Sequence, residues 1–422
     1  MKQSFCLLFL LVFILSVFAQ DNENKNQPGY NPEERGEVYF RWKAKPENVN
    51  KLSKTVSIDK ISNGWIYAYA NRKQFMHFCS LVSDREILTP PSLVETAMYR
   101  GKGIYEWDAY PTYEQYVTMM QNFASGYPEI CTLDSIGSSV QGRGIYIVKI
   151  SDSAAKKEAE PEFLYSSTMH GDETTGYILL LRLINYLLEN YGTDSLVTGL
   201  VNNTEIWINP LANPDGTYST GNDTVSGATR FNANNIDLNR NFPDPEDGQH
   251  PDGEARQPEN IAMMNFMKNH NFVLSANLHT GEEVVNYPWD TWVRLHADDS
   301  LYQFMSREYA DTVHVYSTGY LTAFNNGITN GFDWYSISGG RQDYVNYFLH
   351  GREVTLELGT TKLPAGSSLP QYWEYNYRSL LNYIKQCHYG VTGIVTDSAT
   401  GTPLKAKVFI SGHDTDSSCI YR

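Results

Sequence analysis

Long hydrophobic runs are scarce in this sequence, and the one that exists lies at the amino end. Residues 7–18 are almost entirely apolar, Lys2 precedes them, and the small residues Val17 and Ala19 close the stretch. This pattern predicts a secretory signal peptide at residues 1–19. An uncleaved anchor is the alternative, but about twelve apolar residues are fewer than the ~20 that a membrane-spanning helix needs. We therefore expect an exported protein, secreted or periplasmic, without stable membrane insertion.

Basic residues are in short supply. The chain has 33 lysines and arginines against 48 aspartates and glutamates, which gives a formal net charge of −15 at pH 7. Nucleic acids bind to positively charged surfaces, so this balance argues against a nucleic-acid partner. It favours a cationic substrate instead.

Cysteine is also rare, with five residues in 422. Cys6 lies in the predicted signal peptide, and none of the others has the spacing of a metal-ligand motif. An exported protein can keep disulfides, but Cys79, Cys131, Cys387 and Cys419 allow three different pairings. Burial of these residues as small hydrophobic side chains is an equally good interpretation.

The chain is too long for one compact core and shows no internal repeat, so we expect two or three domains. Residues 21–35 are polar and predict a mobile leader. The alternation of Val38, Phe40 and Trp42 then indicates a strand. Further strand and helix patterns complete a small α/β appendage. We assign residues 20–104 to the leader and this appendage, whose role the residues do not reveal.

Strand and helix patterns alternate along residues 105–388, which indicates an α/β fold with an open mixed sheet covered by helices on both faces. Residues 163–167 and 273–278 are runs suited to central strands, and residues 177–188 predict a buried helix. Alternating apolar residues at 390–412 flank a turn rich in Ser, Thr, Gly and Pro, and they predict a β-hairpin.

A histidine and a glutamate stand where a predicted strand meets the buried helix. His170 and Glu173 are three residues apart, so their side chains converge beyond the carboxyl end of the sheet. His279 ends another apolar run, and three such ligands with one open position make a catalytic zinc site. The spacing alone is weak evidence, since a helix-start glutamate beside an ordinary histidine looks the same. The other histidines in polar surroundings are predicted to lie at the surface: His250, His270, His296, His350 and His388.

A wider pattern around these residues resembles the zinc metallocarboxypeptidases, and within them the carboxypeptidase N, E and D branch. Separate motifs carry the resemblance at residues 169–173, 213–216, 236–243, 278–279, 286–288, 327–331 and 355–358. It spans residues 105–388 and implies the fold and activity of that family. The hairpin resembles the start of the transthyretin-like β-sandwich that follows in this branch, so residues 389–422 are expected to form an incomplete β domain.

The resemblance implies a metal centre and a base. His170, Glu173 and His279 match the ligands of one zinc ion per chain, and Glu357 matches the catalytic glutamate. Zinc would lower the pKa of a water molecule and polarise a peptide carbonyl, while Glu357 would take up the proton. Asp237 would accept the free ring N–H of His170. Without the resemblance, a capping aspartate is an equal interpretation of Asp237.

The resemblance also implies how a chain end is bound. Arg230 is similar to the arginine that polarises the scissile carbonyl. Asn239 and Arg240 match the pair that grips the terminal carboxylate, and Tyr335 matches the tyrosine that closes over it. An arginine fork binds a carboxylate bidentately, so this pair would restrict cleavage to chain ends of peptides or proteins.

Two residues bear on which end residue is removed. Asp290 resembles the aspartate that recognises a terminal Arg or Lys, and Gln342 is typical of the same branch. A buried carboxylate favours a cation, so we predict removal of C-terminal Arg or Lys, and an exposed turn residue is the less favoured interpretation of Asp290. Two other functions stay in view. A zinc hydrolase for cell-wall peptides or acidic tails would lack Asp290 or place a cation opposite the substrate side chain. A non-catalytic peptide-binding relative would lose Glu357 or a ligand.

Overall fold

The computed structural model describes residues 32–43, 49–101, 107–391 and 393–421. The predicted signal peptide at residues 1–19, most of the polar leader, and the predicted domain limit between residues 104 and 105 lie outside this part of the chain. By its internal contacts the chain forms two compact units, which divide between Pro90 and Pro91. The predicted domain limits therefore stay predictions.

The first unit is built on an antiparallel sheet. Its strands are β1 (Val38–Trp42), β2 (Ser57–Ser62), β3 (Trp65–Ala70) and β4 (Glu86–Leu88), in the order β2-β3-β1-β4. Its helices are α1 (Pro32–Arg35), α2 (Val49–Leu52) and α3 (Arg72–Leu81). Phe40 of β1 packs against Phe75 and Phe78 of α3, with ring centroids 5.0 and 4.8 Å away. The alternating face of the predicted strand thus forms the core of this unit.

An eight-stranded mixed sheet forms the centre of the second unit. In spatial order, its strands are β11 (Ile328–Asn330), β10 (Glu283–Tyr287), β12 (Glu353–Leu358), β9 (Phe272–His279), β7 (Glu162–Ser167), β8 (Glu205–Asn209), β6 (Gly144–Ile150) and β5 (Cys131–Ser138). Strands β12, β9, β7 and β8 are parallel to one another, and β10 and β6 flank them in the antiparallel direction. The predicted central strands are the parallel β7 and β9.

Helices cover both faces of this sheet, as the sequence predicts. They are α4 (Tyr113–Gly126), α5 (Thr175–Asn190), α6 (Ser195–Val201), α7 (Pro214–Thr217), α8 (Pro258–Lys268), α9 (Asp299–Tyr316), α10 (Ala323–Asn326), α11 (Gly331–Trp334), α12 (Arg341–Phe348) and α13 (Leu369–Lys385). One core cluster joins Phe163 and Tyr165 of β7 to α4, α5, α9 and α13, and another joins Leu164 to α8 and α12. Within the described residues, no helix has the length and apolar character of a membrane span.

The carboxyl ends of β9 and β12 lie side by side. The two strands are parallel, and their register pairs His279 with Glu357. Strand β10 runs back along β12 and pairs Glu283 with Leu358. His279, Glu357 and the start of β10 therefore meet at one edge of the sheet, where ligands bind in open α/β folds.

Beyond Tyr389, the described residues are mostly exposed. Leu404 donates its N–H to the carbonyl of Val395 at 2.9 Å, which forms part of the predicted hairpin. Two-residue strands β13 (Lys407–Val408) and β14 (Ile420–Tyr421) form a further antiparallel pair. These short strands agree with the expected start of a β domain.

Two predictions about single residue types have different outcomes. Cys131, Cys387 and Cys419 are buried free thiols, in agreement with the interpretation that they are small hydrophobic side chains.

The prediction that His296 lies at the surface is wrong, because it is 2% exposed. Its ring packs against Trp289, 4.8 Å between centroids, and burial lowers its pKa to about 3. Its polar neighbours in sequence gave no sign of this long-range packing.

Candidate active site

Two histidines and a glutamate meet at the carboxyl edge of the sheet. Strand β7 ends at Ser167, and the turn that follows carries His170 and Glu173 towards α5. Nδ1 of His170 lies 2.8 Å from Oε1 of Glu173, and Nδ1 of His279 lies 2.7 Å from Oε2 of the same carboxylate. The two Nδ1 atoms are 3.1 Å apart. All three side chains are buried, so the predicted ligands converge on one point.

The surroundings of these side chains suit a metal ion. Nε2 of His170 lies 3.0 Å from Oδ1 of Asp237, which can accept the ring N–H and direct the Nδ1 lone pair to the centre. Nδ2 of Asn277 lies 2.5 Å from Nε2 of His279, on the side of the ring that faces away from the centre. Imidazole nitrogens and a carboxylate oxygen are the donors that zinc takes in catalytic sites. The residues present therefore fit a zinc ion.

Two cationic side chains contact the carboxylate of Glu173. Nη1 of Arg230 donates to Oε1 at 3.2 Å, and Nζ of Lys362 donates to the same oxygen at 2.7 Å. The sequence analysis placed Arg230 here but missed Lys362. Lys362 is buried, and its only signal in the sequence is its position five residues after Glu357.

Glu357 lies beside this centre at the end of β12. Its backbone pairs with that of His279, and its Oε2 is buried with no hydrogen-bond partner in the described part of the chain. Burial and the negative charge of Glu173 raise the pKa of Glu357 well above its usual value. A carboxyl group with a raised pKa is suited to accept a proton from water.

Arg240 presents unused hydrogen-bond donors. It ends the 3₁₀ turn Leu238–Arg240, and its Nη1 donates to the carbonyl oxygen of Asn239 at 2.8 Å. Nε and Nη2 are buried, and neither has a hydrogen-bond partner among the residues described. Oδ1 of Asn239 accepts the N–H of Arg341 at 2.9 Å, which fixes the orientation of this amide. Buried donors without acceptors cost free energy, so a carboxylate ligand would stabilise this arrangement.

Tyr335 lies within the electrostatic influence of Arg240 and Arg230. It directly follows α11 and is 7% exposed, which is more buried than expected for a residue in a mobile loop. Burial raises its pKa to about 12, while the charges of Arg240 and Arg230 act in the opposite direction and that of Glu357 adds to the rise. The charges of the predicted carboxylate-binding Arg240 and of the predicted base Glu357 therefore both act on this tyrosine.

A second group of unused polar atoms surrounds Asp290. Nδ2 of Asn286 and Nε2 of Gln342 donate to Oδ1 of Asp290, at 3.1 and 3.0 Å. The oxygens of the same two amides are buried and lack a hydrogen-bond partner within the described ranges. A Cβ at Gly331 would lie 1.8 Å from Oδ1 of Asp290, so only glycine leaves room for this aspartate. Asp290 is 3% exposed and is thus not an exposed turn residue.

Two further buried acids hold the loop of Asp290, and the sequence analysis singled out neither. Asp343 accepts the backbone N–H of Asp290 at 3.0 Å and that of Thr291 at 2.8 Å. Asp244 accepts the hydroxyl of Thr291 at 3.2 Å and the N–H of Gly339 at 2.9 Å. Burial raises the pKa of Asp290 to about 7, and burial together with the charge of Asp290 raises that of Asp343. Three buried aspartates therefore lie close together at this pocket.

A mixed α/β sheet whose carboxyl edge holds two histidines and a glutamate in ligating positions is typical of metal-dependent hydrolases. The chain belongs to the zinc carboxypeptidase family, because the model of that family matches residues 116–379, more than half of its length. The family predicted from the sequence motifs is thereby confirmed.

Named relatives agree with the predicted branch of the family. The chain is 45% identical over 298 residues to carboxypeptidase D of Mus musculus, a match that covers 67% of this chain and 21% of that protein. It is 39% identical over 318 residues to carboxypeptidase M of the same species, covering 72% of this chain and 71% of that protein. The chain thus spans about a fifth of the length of the carboxypeptidase D relatives.

Solved structures show the same fold at lower sequence identity. Carboxypeptidase A from Helicoverpa armigera aligns with a TM-score of 0.65 at 19% identity, over 83% of this chain and 97% of that one. Thrombin activatable fibrinolysis inhibitor aligns with a TM-score of 0.58 at 15% identity. At these identities the likeness establishes the fold alone.

Proposed function

We propose that this protein is a zinc-dependent carboxypeptidase that removes C-terminal Arg or Lys from peptides or proteins. The proposal rests on two groups of buried polar atoms that lack hydrogen-bond partners in the described part of the chain. One group is the donors of Arg240, and the other is the acceptors around Asp290. The donors suit the carboxylate that marks a chain end, and the acceptors suit a cationic side chain. A C-terminal Arg or Lys carries both groups on one residue.

The proposed chemistry uses a metal and a base. His170, Glu173 and His279 hold one zinc ion per chain, and Asp237 fixes the ring of His170. Zinc bound there supplies an acidic water and a polarised scissile carbonyl. Glu357 accepts the water proton on its buried Oε2 and passes it to the leaving amine.

The remaining site residues position the substrate. Arg240 and Asn239 bind the terminal carboxylate, which places the last peptide bond beside Glu357. Arg230 faces the carbonyl oxygen as negative charge develops there, where a fixed positive charge lowers the barrier most. Tyr335 closes over the bound end and excludes water from it.

The acidic pocket supports the basic specificity. Asp290 is buried beside Asp343 and Asp244, and a cationic side chain would offset the repulsion between these groups. An acidic end residue would add a further negative charge. A neutral one would leave the oxygens of Asn286 and Gln342 without donors. These contacts argue against acidic tails as substrates, and the presence of Glu357 with all three ligands argues against a non-catalytic role.

The proposal also concerns location and partners. The apolar run at residues 7–18 supports export, to the cell exterior or a periplasm. The net charge of −15 favours cationic peptide ends as partners and disfavours nucleic acid.

The decisive experiment is mass spectrometry of one peptide sequence ending in Arg, Lys, Phe, Leu, Glu or Ala. The zinc-loaded full chain is added with and without a chelator. We expect chelator-sensitive loss of a single Arg or Lys and little cleavage elsewhere. Cleavage of other end residues alone would contradict the basic specificity but keep the zinc mechanism. The absence of any cleavage would favour a peptide-binding role.

A further inference from the structure

A groove lined by tyrosines opens beside β12, apart from the pocket of Asp290. Its volume is about 390 Å³. It lies between the start of β10, the end of α9 and the start of α13. The lining residues that carry the argument are Glu283, Tyr320, Tyr372 and Tyr375.

Backbone contacts join the wall of this groove to the strand that carries the proposed base. Glu283 pairs with Leu358, the residue that follows Glu357. The hydroxyl of Tyr320 donates to the carbonyl of Leu358 at 2.9 Å. A Cβ on Gly359 would lie 2.9 Å from the hydroxyl oxygen of Tyr372. The chain that carries the base therefore continues directly into the wall of the groove.

The lining chemistry suits a cationic side chain. Among the described residues that line the groove, Glu283 is the one that carries a charge, and it is half-buried. Its Oε2 accepts the N–H of Leu321 at 3.2 Å, and burial raises its pKa. The rings of Tyr320 and Tyr375 stack with centroids 4.7 Å apart. Aromatic rings beside a carboxylate attract ammonium and guanidinium groups through both ion pairing and the ring quadrupole.

The direction of the substrate decides which residue reaches the groove. The side chain of the substrate's last residue is assigned to the pocket of Asp290, and no substrate residue follows it. Helix α12 helps to form that pocket through Gln342 and Asp343. That helix packs in the core cluster on one face of the sheet, whereas α9 and α13 pack on the other face. A substrate residue in the groove must therefore precede the scissile bond.

Building on the proposed carboxypeptidase function, we propose that this groove is a subsite for a cationic side chain upstream of the scissile bond. The preferred substrates then carry one basic residue at the C-terminus and a second one a short distance before it. Glu283 supplies the ion pair, and the tyrosines supply the faces against which the side chain packs.

The test measures binding on a variant that cannot turn the peptides over. Zinc-loaded full-length Glu357→Gln is titrated with peptides that all end in Arg and carry Lys, norleucine or Ala at one of the four preceding positions. Norleucine matches the length of Lys without its charge. The same titrations are made with two double variants, in which the Glu357→Gln chain also carries Glu283→Gln or, as a matched control, Glu374→Gln. Glu374 is an exposed α13 carboxylate that is not among the lining residues and lies 3.9 Å from Arg378.

At one upstream position we expect Lys to bind roughly three- to tenfold tighter than norleucine, the range of a partly exposed ion pair with a cation–π contact. Glu283→Gln should reduce this ratio to about one, and Glu374→Gln should preserve it. The proposal would be overturned if Lys and norleucine peptides bound equally at all four positions. It would also be overturned if both variants lost the ratio equally, or if no binding were measurable. The ratio of affinities is measured without turnover. A result against the subsite is therefore distinct from a failure of the proposed activity, which is tested by wild-type cleavage of the Ala peptides.

Discussion

The carboxyl group of Asp343 accepts the backbone N–H of Asp290, so one buried acid fixes the position of another. We expect Asp343→Asn to lower kcat/KM for Arg-ended peptides about tenfold and that for Ala-ended peptides much less. The reason is that the amide nitrogen of the new side chain would face the N–H groups of Asp290 and Thr291 and displace the loop. Equal losses on both peptides would show that Asp343 supports the fold and not the pocket. Asp311→Asn, at an exposed position of α9, is the control and should leave the ratio unchanged.

The preference for basic ends should increase with pH. Burial raises the pKa of Asp290 to about 7, so its carboxyl group is largely neutral below that pH and charged above it. The acids Asp343 and Asp244 face this group, and Arg240 opposes their effect. A cationic side chain binds the charged form. The ratio of kcat/KM for Arg-ended over Ala-ended peptides should therefore rise severalfold from about pH 6 to about pH 8.

This ratio is measured on one enzyme at each pH, so titrations that affect both peptides cancel. In Asp290→Asn the ratio should be low and independent of pH. A pH-dependent ratio in that variant would assign the titration to another group.

Glu357→Gln should separate turnover from metal binding. We expect kcat to fall at least a hundredfold, because the amide cannot accept the water proton. The zinc content, measured by inductively coupled plasma mass spectrometry, should stay near one per chain. His279→Ala, which removes a proposed ligand, should lose both activity and zinc. Loss of zinc in Glu357→Gln would make Glu357 a ligand instead of a base.

A buried ion pair beneath the pocket provides a test of stability. Nε and Nη2 of Arg341 each lie 2.9 Å from a carboxylate oxygen of Glu353, and both side chains are fully buried. Arg341→Met leaves the carboxylate buried without its partner and should lower the free energy of unfolding by about 3–5 kcal/mol. Thermal unfolding of the full chain should show this as a lower Tm.

The double variant Arg341→Met with Glu353→Leu should recover much of this stability, because it removes both charges. Arg378→Met, which breaks the exposed pair with Glu374, should change the Tm little. If the double variant were no more stable than Arg341→Met, the loss of stability would come from poor packing of the methionine and not from the unpaired carboxylate.

The sequence predicted the parts of the site that local pattern determines. His170 and Glu173 are close in the chain at a strand-to-helix junction, and His279 ends an apolar strand, so these three were recognisable from their neighbours. Glu357 was assigned only through the family resemblance. The roles of all these residues remain proposals. Their convergence on one edge follows from the parallel arrangement of β7, β9 and β12.

The residues that the sequence analysis missed act through partners far away in the chain. Lys362 contacts Glu173 across 189 positions, and Arg341 contacts Ser166 across 175. No periodicity or motif marks such a contact, because burial of a charged side chain depends on the assembled sheet. The same reason accounts for the wrong prediction that His296 lies at the surface.

The register that pairs His279 with Glu357 places a proposed ligand and the proposed base side by side on neighbouring strands. Successive strand residues point to opposite faces, so a slip of one position would send the side chain of Glu357 away from the metal centre. If some molecules of a preparation had mispaired strands, those molecules would be inactive and the others fully active. No molecules of intermediate activity would be present. The fraction titratable with a tight-binding inhibitor would then count natively paired chains, and enzyme assays could serve as a measure of folding quality.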